Sequence, residues 1–121
     1  MAKILIVEDE LEIAENLQAL LVAKGHEVFV ARDGLEAISR ARLEKPQLIL
    51  LDVLLPKIGG LDVCRMIKSD PALRKVKVVM LTSLGRFGDV ETAFERGADD
   101  YLIKPVETER LFKKIDKMLE P

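Results

Sequence analysis

Four short stretches of this 121-residue sequence carry side chains that could act together on one small anionic group: Glu8-Asp9-Glu10, Asp52, Thr82-Ser83 and Lys104-Pro105. Gathered at one place, the carboxylates would repel one another and resist ionising unless a hard divalent cation with oxygen ligands offset their charge. Mg2+ fits such an open site, because it keeps several waters and is usually held by one or two carboxylates together with a phosphate. A partly built site of that kind is completed by a phosphoryl group. An aspartate can then act as nucleophile, while a lysine charge and a threonine hydroxyl engage the equatorial phosphoryl oxygens. Asp52 is the central candidate for the nucleophile, with Lys104 and Thr82 in the supporting roles.

These stretches meet only if each follows a strand of one parallel sheet, and the hydrophobic pattern predicts that arrangement. Lys3 to Val7 is short, β-branched and apolar on both faces, as a strand buried on both sides reads. From Glu10 to Lys24, Ile13, Leu17, Leu20 and Leu21 recur at helical spacing, and Gly25 follows as a stop. Glu27 to Ala31 is a second strand, Asp33-Gly34 a turn, and Ala37, Ile38 and Ala41 the stripe of a helix that ends before Pro46. Leu48 to Leu51 makes a third strand, followed by a loop from Val53 to Gly59 and a helix from about Gly60 to Ser69. Val76 to Leu81 is a fourth strand, Asp89 to Arg96 a fourth helix closed by Gly97, and Asp100 to Ile103 a short fifth strand. Leu111, Phe112, Ile115, Met118 and Leu119 mark the last amphipathic helix. Strict alternation of five strands with five helices predicts right-handed crossovers and a doubly wound α/β fold. Its function belongs at the carboxyl ends of the strands.

Glu8-Asp9, Asp52 with Pro56 and Gly60 behind it, Thr82-Ser83, Gly97-Ala98-Asp99-Asp100-Tyr101 and Lys104-Pro105, in that order, resemble the response-regulator receiver family across essentially the whole chain, residues 1–121. The resemblance implies a flavodoxin-like five-stranded parallel sheet of order 2-1-3-4-5, like that of chemotaxis regulators. It implies that Asp52 accepts a phosphoryl group from the phosphohistidine of a sensor histidine kinase or a phosphotransfer protein. By the same likeness Glu8, Asp9, Asp52 and the Val53 backbone carbonyl hold Mg2+, and Lys104 pairs with the phosphoryl group. It further implies a switch: the Thr82 hydroxyl turns toward the phosphate, Tyr101 moves inward, and the surface of the last two helices and the fifth strand changes for a downstream effector. A cis peptide at Lys104-Pro105 is also implied.

The chain departs from the family pattern in the loop after Asp52, where Leu55 and Gly59 replace the commoner methionine and an acid or amide. Leu54 and Leu84, each two residues beyond a site residue, are apolar and would lie over the path of an attacking water, which predicts slow loss of phosphate. Gly88 and Val106 differ from the dimerising transcription-factor branch, so a phosphorylation-dependent homodimer built around Asp99-Asp100 and Lys114 is only one candidate for the output. A receiver that binds partners without being phosphorylated is the alternative function.

Each residue also has a plainer reading. Glu8, Asp9 and Glu10 could cap the next helix and match its dipole, Asp52 could shape a turn, Lys104 could be a surface lysine, and Tyr101 a half-buried aromatic with a wet hydroxyl. Their joint occurrence favours a site. A flavin carrier on the same fold would need glycine or hydroxyl residues, not three acids, in the first turn. A phosphatase of the haloacid dehalogenase type would need a second aspartate where Leu54 stands. His26 reads as a solvated loop residue with no second histidine to share a metal, and Cys64 as a small buried hydrophobe.

Composition narrows the partners. Nineteen basic and 21 acidic side chains nearly cancel to a formal charge of −2, so no overall field draws the chain to nucleic acid or an anionic membrane. The longest apolar runs fall far short of the roughly 20 residues that cross a bilayer. One cysteine and no secretion signal predict a reducing, cytoplasmic setting.

Overall fold

Strand β3 (Leu48–Asp52) is buried along its whole length, as a continuous Leu-Ile-Leu-Leu run requires when both faces of a sheet are covered. The computed structural model describes residues 1–83 and 85–121; Leu84 lies outside the described residues. Around β3 the chain alternates β1 (Lys3–Val7), α1 (Leu11–Ala23), β2 (Glu27–Ala31), α2 (Gly34–Glu44), α3 (Gly60–Ser69), β4 (Lys77–Ser83), α4 (Phe87–Glu95), β5 (Asp100–Lys104) and α5 (Thr108–Met118). The five strands are all parallel in the order β2-β1-β3-β4-β5, the doubly wound flavodoxin-like arrangement expected from the sequence.

The two-residue period of the strands sorts the core into two layers. Leu5, Val7, Ile49, Leu51, Val78 and Met80 face one side, where Ala37, Val63, Ile67 and Ala93 bring in α2, α3 and α4. Ile4, Ile6, Leu48, Leu50, Val79 and Leu81 face the other, where Leu17, Leu21, Leu111 and Ile115 bring in α1 and α5. Both faces are thereby sealed. The polar ends of the strands are left as the places where chemistry can reach solvent.

The carboxyl ends of three strands run past the sequence reading. Strand β4 runs on through Thr82 and Ser83, and β5 through Lys104, because Thr82 pairs with Ile103 and Ser83 with Lys104 in the sheet register. Likewise β3 includes Asp52, opposite Leu81. Partner strands thus extend the ladder past the apolar run from which a strand is recognised. Helix α4 begins two residues earlier than expected, at Phe87, where an Arg86–Asp89 ion pair closes its first turn.

Two further expectations are settled by packing. His26 is half-buried, not solvated: its Nδ1 accepts a hydrogen bond from the Ala2 N–H at 3.2 Å, and burial lowers its pKa. Cys64 is buried as expected, and burial pushes its thiol up to about 11. No described helix is long and apolar enough to cross a membrane.

Gly60 opens α3 directly beneath the end of β3. A Cβ there would overlap the Asp52 carbonyl and crowd Val53, whereas one at Gly59 would meet nothing within 4 Å. Overpacking against backbone, which cannot swing aside, costs about 1–3 kcal/mol or more. Gly60→Ala should therefore lower stability by about 3 kcal/mol in urea unfolding, and Gly59→Ala should stay within about 0.5 kcal/mol of the natural chain.

Candidate functional site

Because the strands are parallel and in register, their carboxyl ends deliver Glu8 from β1, Asp52 from β3, Thr82 from β4 and Lys104 from β5 to one edge. Carboxylate oxygens of Glu8, Asp9 and Asp52 lie within 4.8 Å of one another. Glu8 is completely buried and Asp52 is 5% exposed, while Asp9 is more open to solvent. Such a set could hold a metal ion, and its all-oxygen character fits Mg2+ or another hard divalent cation.

Lys104 is the counter-charge within the protein. Its Nζ lies 2.9 Å from Asp52 Oδ2, with which it makes a hydrogen bond, and 2.7 Å from Glu8 Oε1. The Glu8 contact brings the charges together without hydrogen-bond alignment, so Glu8 Oε1 keeps an unused lone pair inside the protein. Burial works against the ammonium charge, but the Glu8 and Asp52 carboxylates outweigh it and raise the Lys104 pKa above the usual lysine value.

The surrounding backbone is fixed from several sides. Glu8 Oε2 accepts from the Glu10 N–H at 3.2 Å, and Glu10, at the N-cap of α1, makes no side-chain capping bond. The Val53 carbonyl accepts from the Gly60 N–H at 2.8 Å, which leaves its second lone pair available. The Leu54 N–H leans on Asp52 Oδ1 at 3.4 Å. Thr82 Oγ1 is buried and has no hydrogen-bond partner among the described residues. Tyr101 is half-buried on β5, its ring edge-on to Phe94 with centroids 6.2 Å apart. The Lys104-Pro105 peptide is cis.

Sequence reasoning passed over one residue at this edge. Arg32 immediately follows β2, and its Nη2 donates to the Asp9 carbonyl at 3.0 Å while its own N–H donates to Glu36 at 2.7 Å. Reading the residue beyond every strand, the second included, would have found it. Asp33 then caps α2 through the Glu36 N–H and pairs with Lys57 of the loop after β3 at 3.3 Å, and these contacts lower the Asp33 pKa. The acids named as parts of a dimer face are already engaged within the chain: Asp100 by Lys114 and Asp99 by Lys68, each at 2.8 Å.

Sheet order and an acid–lysine cluster at its carboxyl edge define the class of flavodoxin-like receiver folds. The chain matches the response regulator receiver domain over residues 4–116 and belongs to that family, a signalling domain of two-component systems. It is 40% identical over 117 residues, 97% of its length, to a probable transcriptional regulator of Cyanophora paradoxa, and 40% identical over 114 residues to response regulator PleD of Caulobacter vibrioides. It spans 48% and 25% of the lengths of those two proteins. Among solved structures, a putative response regulator from Chloroflexus aurantiacus is 35% identical with a TM-score of 0.94, covering 98% of this chain and 97% of that one. The chemotaxis response regulator CheY4 of Vibrio cholerae is 28% identical with a TM-score of 0.92, covering 98% and 99%.

Crowded acids and one shared lysine predict opposite effects of neutralising either sign. Without divalent cations, Asp52→Asn should stabilise the fold by roughly 1 kcal/mol, the energy of unit charges about 4 Å apart in a medium as polar as water. Lys104→Met should destabilise it by about 3 kcal/mol, because a buried carboxylate is left uncompensated. Urea unfolding in a chelator checks both. The raised Lys104 pKa adds a pH dependence: its contribution is complete below the ordinary lysine pKa of about 10.5 and is lost as pH rises through the higher folded value.

Proposed function

We propose that residues 1–121 form one phosphorylatable receiver domain in which Asp52 takes a phosphoryl group from the phosphohistidine of a sensor kinase or phosphotransfer protein. Glu8, Asp9, Asp52 and the Val53 carbonyl hold Mg2+, which when bound offsets the charge on the phosphoryl oxygens. The observation that carries this reading is the Thr82 hydroxyl. It is 3% exposed, has no hydrogen-bond partner among the described residues, and follows Leu81, the register partner of Asp52. A buried hydroxyl is costly to leave unpaired, so its natural complement is an acceptor brought by a ligand at Asp52.

In the transfer, an Asp52 oxygen forms the new P–O bond as the P–N bond to the donor imidazole breaks, and the freed imidazole nitrogen takes a proton from water. Lys104, already beside Asp52, exchanges its carboxylate contact for a phosphoryl oxygen. Thr82 donates its hydroxyl to a second oxygen. Movement of Thr82 frees space into which Tyr101 turns from its edge-on contact with Phe94, and the α4, β5 and α5 surface changes shape for an effector.

The domain works in the cytoplasm and hands its signal to an effector protein or domain. A homodimer through α4, β5 and α5 would have to share Asp99 and Asp100 with their present lysine partners. A receiver that binds without phosphorylation would have no use for the buried, unpartnered hydroxyl beside an intact acid–lysine set.

Leu54, 55% exposed beside Asp52, neither orients nor hydrogen-bonds an attacking water, so the phosphoryl group is long-lived. Intact mass after incubation with acetyl phosphate should rise by one phosphoryl group with Mg2+, and show no rise without Mg2+ or in Asp52→Asn; an unmodified mass in every condition would overturn the reading. Leu54→Asn should speed loss of phosphate by up to about 10-fold, less than a positioned acid or base would give, because an amide orients water without taking its proton. An equal or slower rate would reject the role given to Leu54.

A further inference from the structure

The amino ends of the strands, opposite the acidic edge, carry a second feature that the signalling chemistry does not use. A groove of about 360 Å³ runs between the α2–β3 connection, the segment before β4 and the end of α5. Its floor is apolar: Leu73 and Val76 are buried, and Met118 is half-buried. Its rim carries Lys45, Lys75 and Lys77, all exposed, and no carboxylate lines it. Among the described residues none of the three lysines takes part in an ion pair. The nearby Asp70 is occupied, holding Arg42 at 3.4 Å and the Ala72 N–H at 2.9 Å.

This contrasts with the larger groove of about 670 Å³ between β5 and α5. There three of the five lining cations are matched, Lys114 by Asp100, Lys104 by Asp52 and Glu8, and Arg110 by Glu107, and Glu107 and Asp100 themselves line the groove beside Lys113 and Lys117, which pair with no described acid. In a chain whose net charge is slightly negative, three unmatched cations around one apolar depression are a local excess. Lys45 stands just beyond the C-terminus of α2, where its charge also suits the helix dipole. Lys75 and Lys77 flank β4 at its start and have no such reason to be there.

We propose that this groove docks an acidic polypeptide segment of a partner protein, which seats one apolar side chain on Leu73, Val76 and Met118 while its carboxylates meet Lys45, Lys75 and Lys77. The volume suits a side chain and its neighbouring backbone. The apolar floor favours a peptide over a polyanion, which would offer charge but no anchor. Docking there leaves the acidic edge free, so a partner can hold the domain while Asp52 reacts.

A fluorescein-labelled dodecapeptide of glutamates around a single central leucine tests this by anisotropy and by amide chemical-shift mapping. Binding is expected in the range of about 10–1,000 μM, typical of small wet contacts, weakening as salt screens the charges. Shifts should cluster at residues 45–47, 72–77 and 118–119. Lys75→Glu combined with Lys77→Glu should weaken binding at least tenfold, and since both side chains are exposed, pair with no described acid and stand at no helix end, the melting curve should hardly move. Arg110→Glu with Lys113→Glu, in the other groove, should leave it unchanged. The assignment is overturned if shifts fall in the β5–α5 groove, if replacing the leucine with serine changes nothing, if a single-stranded oligonucleotide competes as well as the peptide, or if no binding occurs at 1 mM, the weak limit of such contacts.

Discussion

One cation shared among buried acids governs this molecule. Lys104 reaches Asp52 and Glu8 at once, from β5 across β4 to Asp52 and across β4 and β3 to Glu8, and is the only described cation within salt-bridge distance of either. Asp9, Asp52 and Glu8 therefore carry more negative charge than the protein itself balances. Like charges gathered in a partly dry site are strained, and the strain is relieved by whatever positive charge arrives. A cluster in that condition is poised for ligands in a way that a neutral, fully paired polar core is not.

The rest of the structure holds that imbalance still. Parallel register sets the four strand ends side by side, two sealed apolar layers keep the sheet from relaxing, and the loops are latched by contacts that leave the Glu8, Asp9 and Asp52 carboxylates free. Arg32 holds the Asp9 carbonyl, Asp33 ties Lys57, and Gly60 lets the start of α3 sit against the Asp52 backbone. At the opposite, amino ends of β4 and β5, Lys68 draws together Asp99 and the Val76 carbonyl, while the Val78 N–H also donates to Asp99. Rigid support of this kind keeps mutually repelling groups close, since flexible ones would swing apart into water.

Charge is segregated along the sheet axis as well. The carboxyl edge concentrates acids, while the amino edge carries unmatched lysines around an apolar groove. The two ends of the same strands therefore differ in charge, separated by the length of the hydrophobic core between them.

Much of this was legible in the residues themselves. Short doubly buried strands alternating with amphipathic helices specify a doubly wound sheet, because a run such as Leu48–Leu51 can be satisfied only with both faces covered, and strict alternation leaves little choice of topology. The acids, threonine and lysine could be named because each follows a strand, and strand ends in such a fold share an edge. What only the tertiary structure decided depends on distance and direction. The Glu8 and Asp52 contacts of Lys104, the unpartnered state of the Thr82 hydroxyl, the extra strand residues paired across β4 and β5, the hydrogen bond that half-buries His26, and the place of Arg32 all arise between segments far apart in the chain. Hydrophobic period reports which way a side chain faces along its own element. It carries no information about which polar atom of another element comes within 3 Å of it, and that is settled by packing.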